Sequence, residues 1–310
     1  MVVLGDVHLT DNWIKRQQVE KFFEWLKKQE FLKKETSIVF LGDLFETPRP
    51  YSAEVNVYLN LFINEWSDKS IYILEGNHDC NLQENALNFF SYLSNVKVIK
   101  ELSEITIDDK KCLFLPHYDH EGTDKLPMCK YYSSLSGTYD YIFAHVMDET
   151  QNFGGDFCDL KNIKGQRLFG HVHTPTVQSG GSYLGSVVKN SSTEKDDQKY
   201  LAIIGPEKYE LVEIPSFMEY ETVTFGEEPK HKDTLVLLNI VDAPTKAEAL
   251  AFYETKFPEI KCNKVTSKRQ RILSTESKDV LTEQDSWNMF CTEKKLDDDV
   301  KNICSKLLQN

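Results

Sequence analysis

A chain of 310 residues has room for one large domain with a smaller companion, and 40% hydrophobic residues can fill a sizeable core. A net charge of −13 argues against binding nucleic acid by bulk electrostatics alone. The longest apolar runs, such as L-V-L-L-N-I-V at 235–241, are too short to cross a bilayer, and seven scattered cysteines with no C-x-x-C spacing suit reduced thiols in an intracellular, cytoplasmic protein. The first predicted strand, V-V-L at 2–4, has no basic flank or long apolar run before it, so no signal peptide is expected. It is short enough that its start is expected to lie upstream. It runs into Gly5-Asp6-Val7-His8, and Ile14, Val19, Phe22, Phe23 and Leu26 then follow at the spacing of one buried helix face.

Next comes S-I-V-F-L at 37–41, ending at Gly42-Asp43, then a helical segment over roughly 52–66. I-Y-I-L at 71–74 ends at Gly76-Asn77-His78-Asp79. Short apolar runs alternating with helical patterns predict β-α-β units. K-C-L-F-L (111–115) and Y-I-F-A (141–144) are further strands, the second running into His145. L-F-G-H-V-H-T-P at 168–175 places His171 and His173 two apart behind a strand, on one face. Hairpin-like strands follow at 176–184, 200–204 and 209–214, with K-N-S-S-T-E-K-D-D-Q-K (189–199) expected as a mobile loop between them.

The composition breaks at F-G-E-E-P-K-H-K-D (225–233), which reads as a linker. The stretch 234–266 then predicts a separate β-α-β unit, with Pro244 where its helix would start. Lys261, Lys264, Lys268, Arg269 and Arg271 form a basic run with no acidic residue among them, suited to a phosphate backbone or to a solvated strand edge. Leu296, Val300, Ile303 and Leu307 make one apolar stripe on a short helix that needs a partner surface.

The strand ends carry Asp6, His8, Asp43, Asn77, His78, His145, His171 and His173. In an α/β sheet the loops at the carboxyl ends of the strands collect on one edge, so these residues can meet there. Glycines 5, 42, 76 and 170 are expected to let the backbone turn sharply at each end. Imidazole, carboxylate and amide donors without cysteine suit two transition-metal ions, manganese first, then iron or zinc. Two ions roughly 3.5–4 Å apart can clamp the attacking and leaving oxygens of a phosphoryl displacement.

G-D-V-H, G-D-L-F, G-N-H-D, a lone histidine behind a strand and G-H-V-H, in that order, resemble the calcineurin-like metallophosphoesterases over roughly residues 1–215. The resemblance implies an α/β fold: a β-sandwich flanked by helices, here with a small α/β capping domain and a helical C-terminal tail. It implies one ion held by Asp6, His8, Asp43 and His173, and a second by Asp43, Asn77, His145 and His171, with Asp43 bridging. His78 would protonate the leaving oxygen or stabilise the transition state, and Asp79 would orient it. Within the family, L-F-G-H-V-H-T-P followed by Y-L-G-S and a returning strand is most similar to the nuclease subunits of SbcCD-type double-strand-break repair complexes, including phage recombination nucleases. That likeness implies domains at 1–215 (nuclease), 216–275 (capping) and 276–310 (partner-binding tail). It also implies a homodimer that cuts DNA with a water activated by the binuclear site, and an SMC-like coiled-coil ATPase partner.

Two readings compete with it: a stand-alone phosphodiesterase of nucleotides or cyclic nucleotides, and a scaffold for an ATPase. Thr10 and Glu46 depart from the nuclease pattern, which puts one accessory contact in question. His117 and His120 match no ligand motif and are expected to be ordinary polar loop residues.

Overall fold

The computed structural model describes residues 1–118, 126–147, 157–178, 181–231, 235–257 and 260–267. In chain order the first elements are β1 (Val2–Leu4), α1 (Trp13–Lys27), α2 (Glu30–Lys34), β2 (Ser37–Phe40), α3 (Ser52–Asn60) and β3 (Ser70–Leu74). Then come β4 (Val96–Ile99), β5 (Ser103–Ile107), β6 (Lys110–Leu115), α4 (Met128–Ser133), β7 (Gly137–Ala144) and β8 (Ile163–Phe169). The hairpins follow: β9 (Thr176–Gln178), β10 (Gly181–Tyr183), β11 (Lys199–Ile204) and β12 (Tyr209–Ile214). The rest is β13 (Met218–Thr224), β14 (Leu235–Ala243), α5 (Lys246–Lys256) and β15 (Ile260–Ser267).

The chain divides into two compact units, the second beginning at Glu219. The first holds two six-stranded mixed sheets, ordered β12-β11-β1-β2-β3-β4 and β5-β6-β7-β8-β10-β9. β1, β2, β3 and β4 run parallel in one, and β6, β7 and β8 in the other. Successive side chains along β1 serve different cores, as strand alternation requires. Met1 and Val3 meet Phe114, Phe143 and Leu168 between the sheets, while Val2 and Leu4 meet Phe22, Phe23, Leu26 and Tyr58 under the helices. A third cluster, with Leu115, Ile142, Ala144, Phe169 and Tyr132, covers the outer face of the second sheet. This is the expected α/β sandwich flanked by helices.

α1 starts where Asn12 caps it, its side chain accepting from Ile14 N–H and Lys15 N–H. The expected helix over 52–66 is α3 extended by a wider, π-type turn at Leu61–Glu65. β4 and β5 were not predicted. Both are short, and each carries one charged residue, Lys97 or Glu104, that interrupts its apolar run.

The stretch 189–199 differs from expectation. Instead of a mobile loop it forms a 3₁₀ turn at Ser192–Glu194, with Lys189, Asn190, Glu194 and Lys199 buried. Glu194 and Lys199 pair inside the protein while Lys195 and Asp196 stay exposed, so the polarity of the run does not report which of its charges are buried.

The second unit is a three-stranded sheet, β13-β14-β15, in which α5 connects the parallel pair β14 and β15. α5 opens on Thr245, whose side chain accepts from Glu248 N–H, one residue after Pro244. Among the described residues, no helix is long and apolar enough to cross a membrane. The tail stripe at Leu296–Leu307 lies outside the described residues.

Candidate metal centre

The parallel strands of both sheets end at one edge of the first unit. Backbone hydrogen bonds tie the loops together there: Val7 N–H and His8 N–H donate to Asp43 O, Glu75 N–H to Ile99 O, and Gly170 N–H to Ala144 O. The sheets are also joined by a side chain, because both Asp6 oxygens accept from His171 N–H, at 3.1 and 2.9 Å. All eight residues expected at the strand ends are brought to this edge.

Three of them sit in the left-handed region: His8 at φ 50°, Asp43 at 49° and His171 at 78°. Non-glycine residues rarely adopt such angles, although Asp and His are among the more tolerant types, and clusters of them mark functional sites. The glycines act differently from expectation. Of Gly5, Gly42, Gly76 and Gly170, only Gly42 has a positive φ, at 106°. What Gly76 supplies is room, since a Cβ there would lie 2.1 Å from Asp43 Oδ1.

The donors fall into two neighbouring sets. In the first, His173 Nε2 is 2.8 Å from His8 Nε2, and both approach Asp6 Oδ2, at 3.8 and 4.0 Å. In the second, His145 Nε2 is 3.0 Å from Asn77 Oδ1 and 3.3 Å from Asp43 Oδ2, while His171 Nδ1 is 2.9 Å from Asn77 Oδ1. Asp43 Oδ2 also lies 3.5 Å from His8 Nε2, so it faces both sets. A third overlapping group, His8, Asp43 and His78, has donor atoms equally close together.

Proton positions decide whether this pattern suits cations. His145 Nδ1 lies 2.8 Å from Leu41 O, which only accepts, so Nδ1 keeps its proton and Nε2 is the nitrogen that faces two oxygens, where they draw positive charge, a proton or a cation. His8 Nδ1 and His173 Nδ1 each face a carboxylate, Glu46 Oε2 at 3.2 Å and Glu194 Oε1 at 3.6 Å. The His8 contact is not aligned as a hydrogen bond, but the negative charge still favours a proton on that side. Two Nε2 lone pairs therefore converge with carboxylate oxygens, an arrangement that needs positive charge between them. The donor set fits two divalent ions.

The electrostatics agree. Burial works against charge on His145, but Asp43 beside it overrides this and raises its pKa to about 9. Burial and the neighbouring His145 push His171 down to about 3. Burial raises Asp6, whereas His145 and His8 hold Asp43 below the usual carboxylate range against its own burial.

Asp79 has a different role from the one expected. Its two oxygens accept from Phe45 N–H and Gly76 N–H, both at 3.0 Å, so it binds the loop after β2 to the loop after β3. The ring of His78 is instead oriented by the Glu46 carbonyl, 2.9 Å from Nδ1. A fully buried carboxylate takes backbone N–H donors where it can, and that occupies Asp79.

Residues to which the sequence assigned no role at the site also gather here. His117, behind β6, is close enough to His171 to help lower its pKa. Glu46 touches His8, and Glu194 with Lys199 backs His173. One signal for Glu194 was present: Ser191-x-x-Glu194 has the spacing of a capping turn. Of the basic run, Lys261 and Lys264 lie on β15, and Lys268, Arg269 and Arg271 lie outside the described residues. β15 slips register against β14 between Cys262 and Lys264, so Cys262 and Val265 both pack on the core and the two lysines share the other face.

No curated protein matches the chain. The family model of the calcineurin-like phosphoesterases matches residues 1–185, a span that contains both donor sets and His78, and the chain belongs to that family.

Proposed function

We propose that the chain is a DNA nuclease, an exonuclease or endonuclease of double-strand-break repair or recombination. Its family makes it a metal-dependent phosphoesterase, and DNA as substrate is the added step. One observation supports that step. After His173 the chain turns through β9 and β10, and Tyr183-Leu184-Gly185-Ser186 is built into the site. Ser186 N–H donates to His173 O at 3.1 Å, and Val187 N–H to Asp6 O at 2.8 Å. This is the stretch whose sequence resembles the SbcCD-type nucleases.

Asp6, His8 and His173 would hold one ion and Asn77, His145 and His171 the other, with Asp43 shared. Bound there, two divalent ions clamp the attacking and leaving oxygens of an in-line phosphoryl displacement. The protein's own groups do the rest. Asp43 is fixed by His78 N–H, which donates to its Oδ1 at 2.9 Å. His78 Nδ1–H donates to Glu46 O, which leaves Nε2 to exchange a proton with the leaving oxygen. Lys261 and Lys264, on one face of β15, would begin a strip for the phosphate backbone that continues through Lys268, Arg269 and Arg271. The tail at 276–310 would dock on an SMC-like coiled-coil ATPase, and a homodimer would complete the assembly.

The test compares manganese-dependent degradation of linear duplex and single-stranded DNA with hydrolysis of bis-p-nitrophenyl phosphate. Degradation of DNA is expected. Turnover of the small ester with both DNAs intact would refute the nuclease and leave a nucleotide phosphodiesterase, the reading that the charge of −13 favours.

A further inference from the structure

The segment after Ser186 folds back against His173 and grips it at two points. Glu194 Oε1 lies 3.6 Å from His173 Nδ1, and Lys199 Nζ donates to His173 O at 2.9 Å. The two grips are coupled, because Lys199 Nζ also donates to Glu194 Oε2 at 2.6 Å, with both side chains 5% exposed. Three further donors fix the carboxylate: Ser186 Oγ and Asn190 N–H at 3.0 and 3.3 Å from Oε2, and Ser191 Oγ at 3.1 Å from Oε1.

A buried ion pair is a weak source of stability, since an apolar pair of the same volume often serves as well. What this pair does beyond packing is aim His173, whose Nε2 must sit beside His8 Nε2 and Asp6 Oδ2. In the other donor set His145 is aimed by a backbone group, the Leu41 carbonyl.

We infer that Glu194 and Lys199 are a positioning pair for His173, which sets how tightly one of the two ions is held and leaves the other alone. The inference rests on the reading of Asp6, His8 and His173 as ligands of a single ion. Groups that orient a metal-binding histidine typically change metal affinity by about 10–100-fold when removed. The effect should therefore be confined to one ion.

The experiment is manganese titration by calorimetry, with bound metal counted after dialysis, on the full chain and two variants. One variant is Glu194→Gln. The other is Glu194→Gln with Lys199→Met, which leaves no unpaired buried charge if the single change fails to fold. Adding His171→Ala, which breaks the other donor set, identifies the ion affected. The expected result is one ion weakened about 10–100-fold and the other unchanged, with loss of both once His171→Ala is added. A folded variant that holds both ions at full affinity, or that weakens both equally, would overturn the inference. So would failure of both variants to fold, which would make the pair a core element. If the unaltered chain itself binds fewer than two ions, the two-ion reading has failed first, and the positioning pair falls with it.

Discussion

Replacing Gly76 with alanine puts the most direct load on the shared carboxylate. The new Cβ would meet Asp43 Oδ1 at 2.1 Å, Asp43 N at 2.3 Å and Asp43 Cγ at 2.8 Å. The nearest acceptable carbon–oxygen contact is about 3.1 Å, so the carboxylate must retreat by about 1 Å, and the backbone contact makes the move costly. Retreat breaks the bond that His78 N–H donates to Asp43 Oδ1 and displaces Oδ2 from its place between His8 and His145. A displacement of about 1 Å at a reacting centre can cost about 10²-fold in rate. Both ions should bind more weakly, because both donor sets use Asp43. Metal analysis after dialysis and hydrolysis of bis-p-nitrophenyl phosphate read the two effects, with circular dichroism as the control for folding. A folded Gly76→Ala protein with full metal content and full turnover would refute the placement of Asp43 at the centre.

Four other outcomes are expected. His171→Ala should lose one of two ions, and elemental analysis finding one ion or none in the unaltered protein under saturating manganese would sink the binuclear site. His78→Ala should keep both ions while turnover falls about 10²–10⁴-fold, the usual share of an acid–base group. If that change strips metal instead, the overlapping group of His8, Asp43 and His78 is the true one. Burial raises the Cys112 thiol to about 12, so its contribution to stability is complete below its ordinary value of 9.0 and is lost as pH rises from there toward 12. Urea melts across that range should show the decline, and peptide mapping after thiol labelling at pH 8 should find Cys112 unmodified in the native protein. If the tail docks on an ATPase as proposed, deleting residues 285–310 should spare metals and small-ester turnover but abolish ATP-stimulated cleavage of duplex DNA by that complex; loss of small-ester turnover would make the tail part of the core.

The residues that meet at the strand ends were legible because a strand that stops at glycine followed by Asp, Asn or His is a local pattern. His171 and His173 reach the expected edge, but from the loop after β8 and not from a strand: β8 ends at Phe169 and His171 has φ 78°, so strand alternation is not what places them. Their supports were not legible in the same way. Asp79 satisfies backbone N–H groups of residues 45 and 76, and nothing in G-N-H-D says which donors its carboxylate will meet. Glu194 and Lys199 sit in a run polar enough to read as a solvated loop; only the fold reveals that they neutralise each other inside. Edge strands such as β4 and β5 fail for a related reason. Lys97 breaks β4, and Glu104 and Thr106 alternate along β5, so neither shows an unbroken apolar run.

The left-handed backbone at His8, Asp43 and His171 has an implication for engineering this protein. Each of these residues bears a strain of order 1–2 kcal/mol that glycine would not feel. A library screened only for thermal tolerance in a chelating buffer would therefore be drawn toward glycine at these three positions. Its most heat-resistant winners would be proteins that no longer hold an ion.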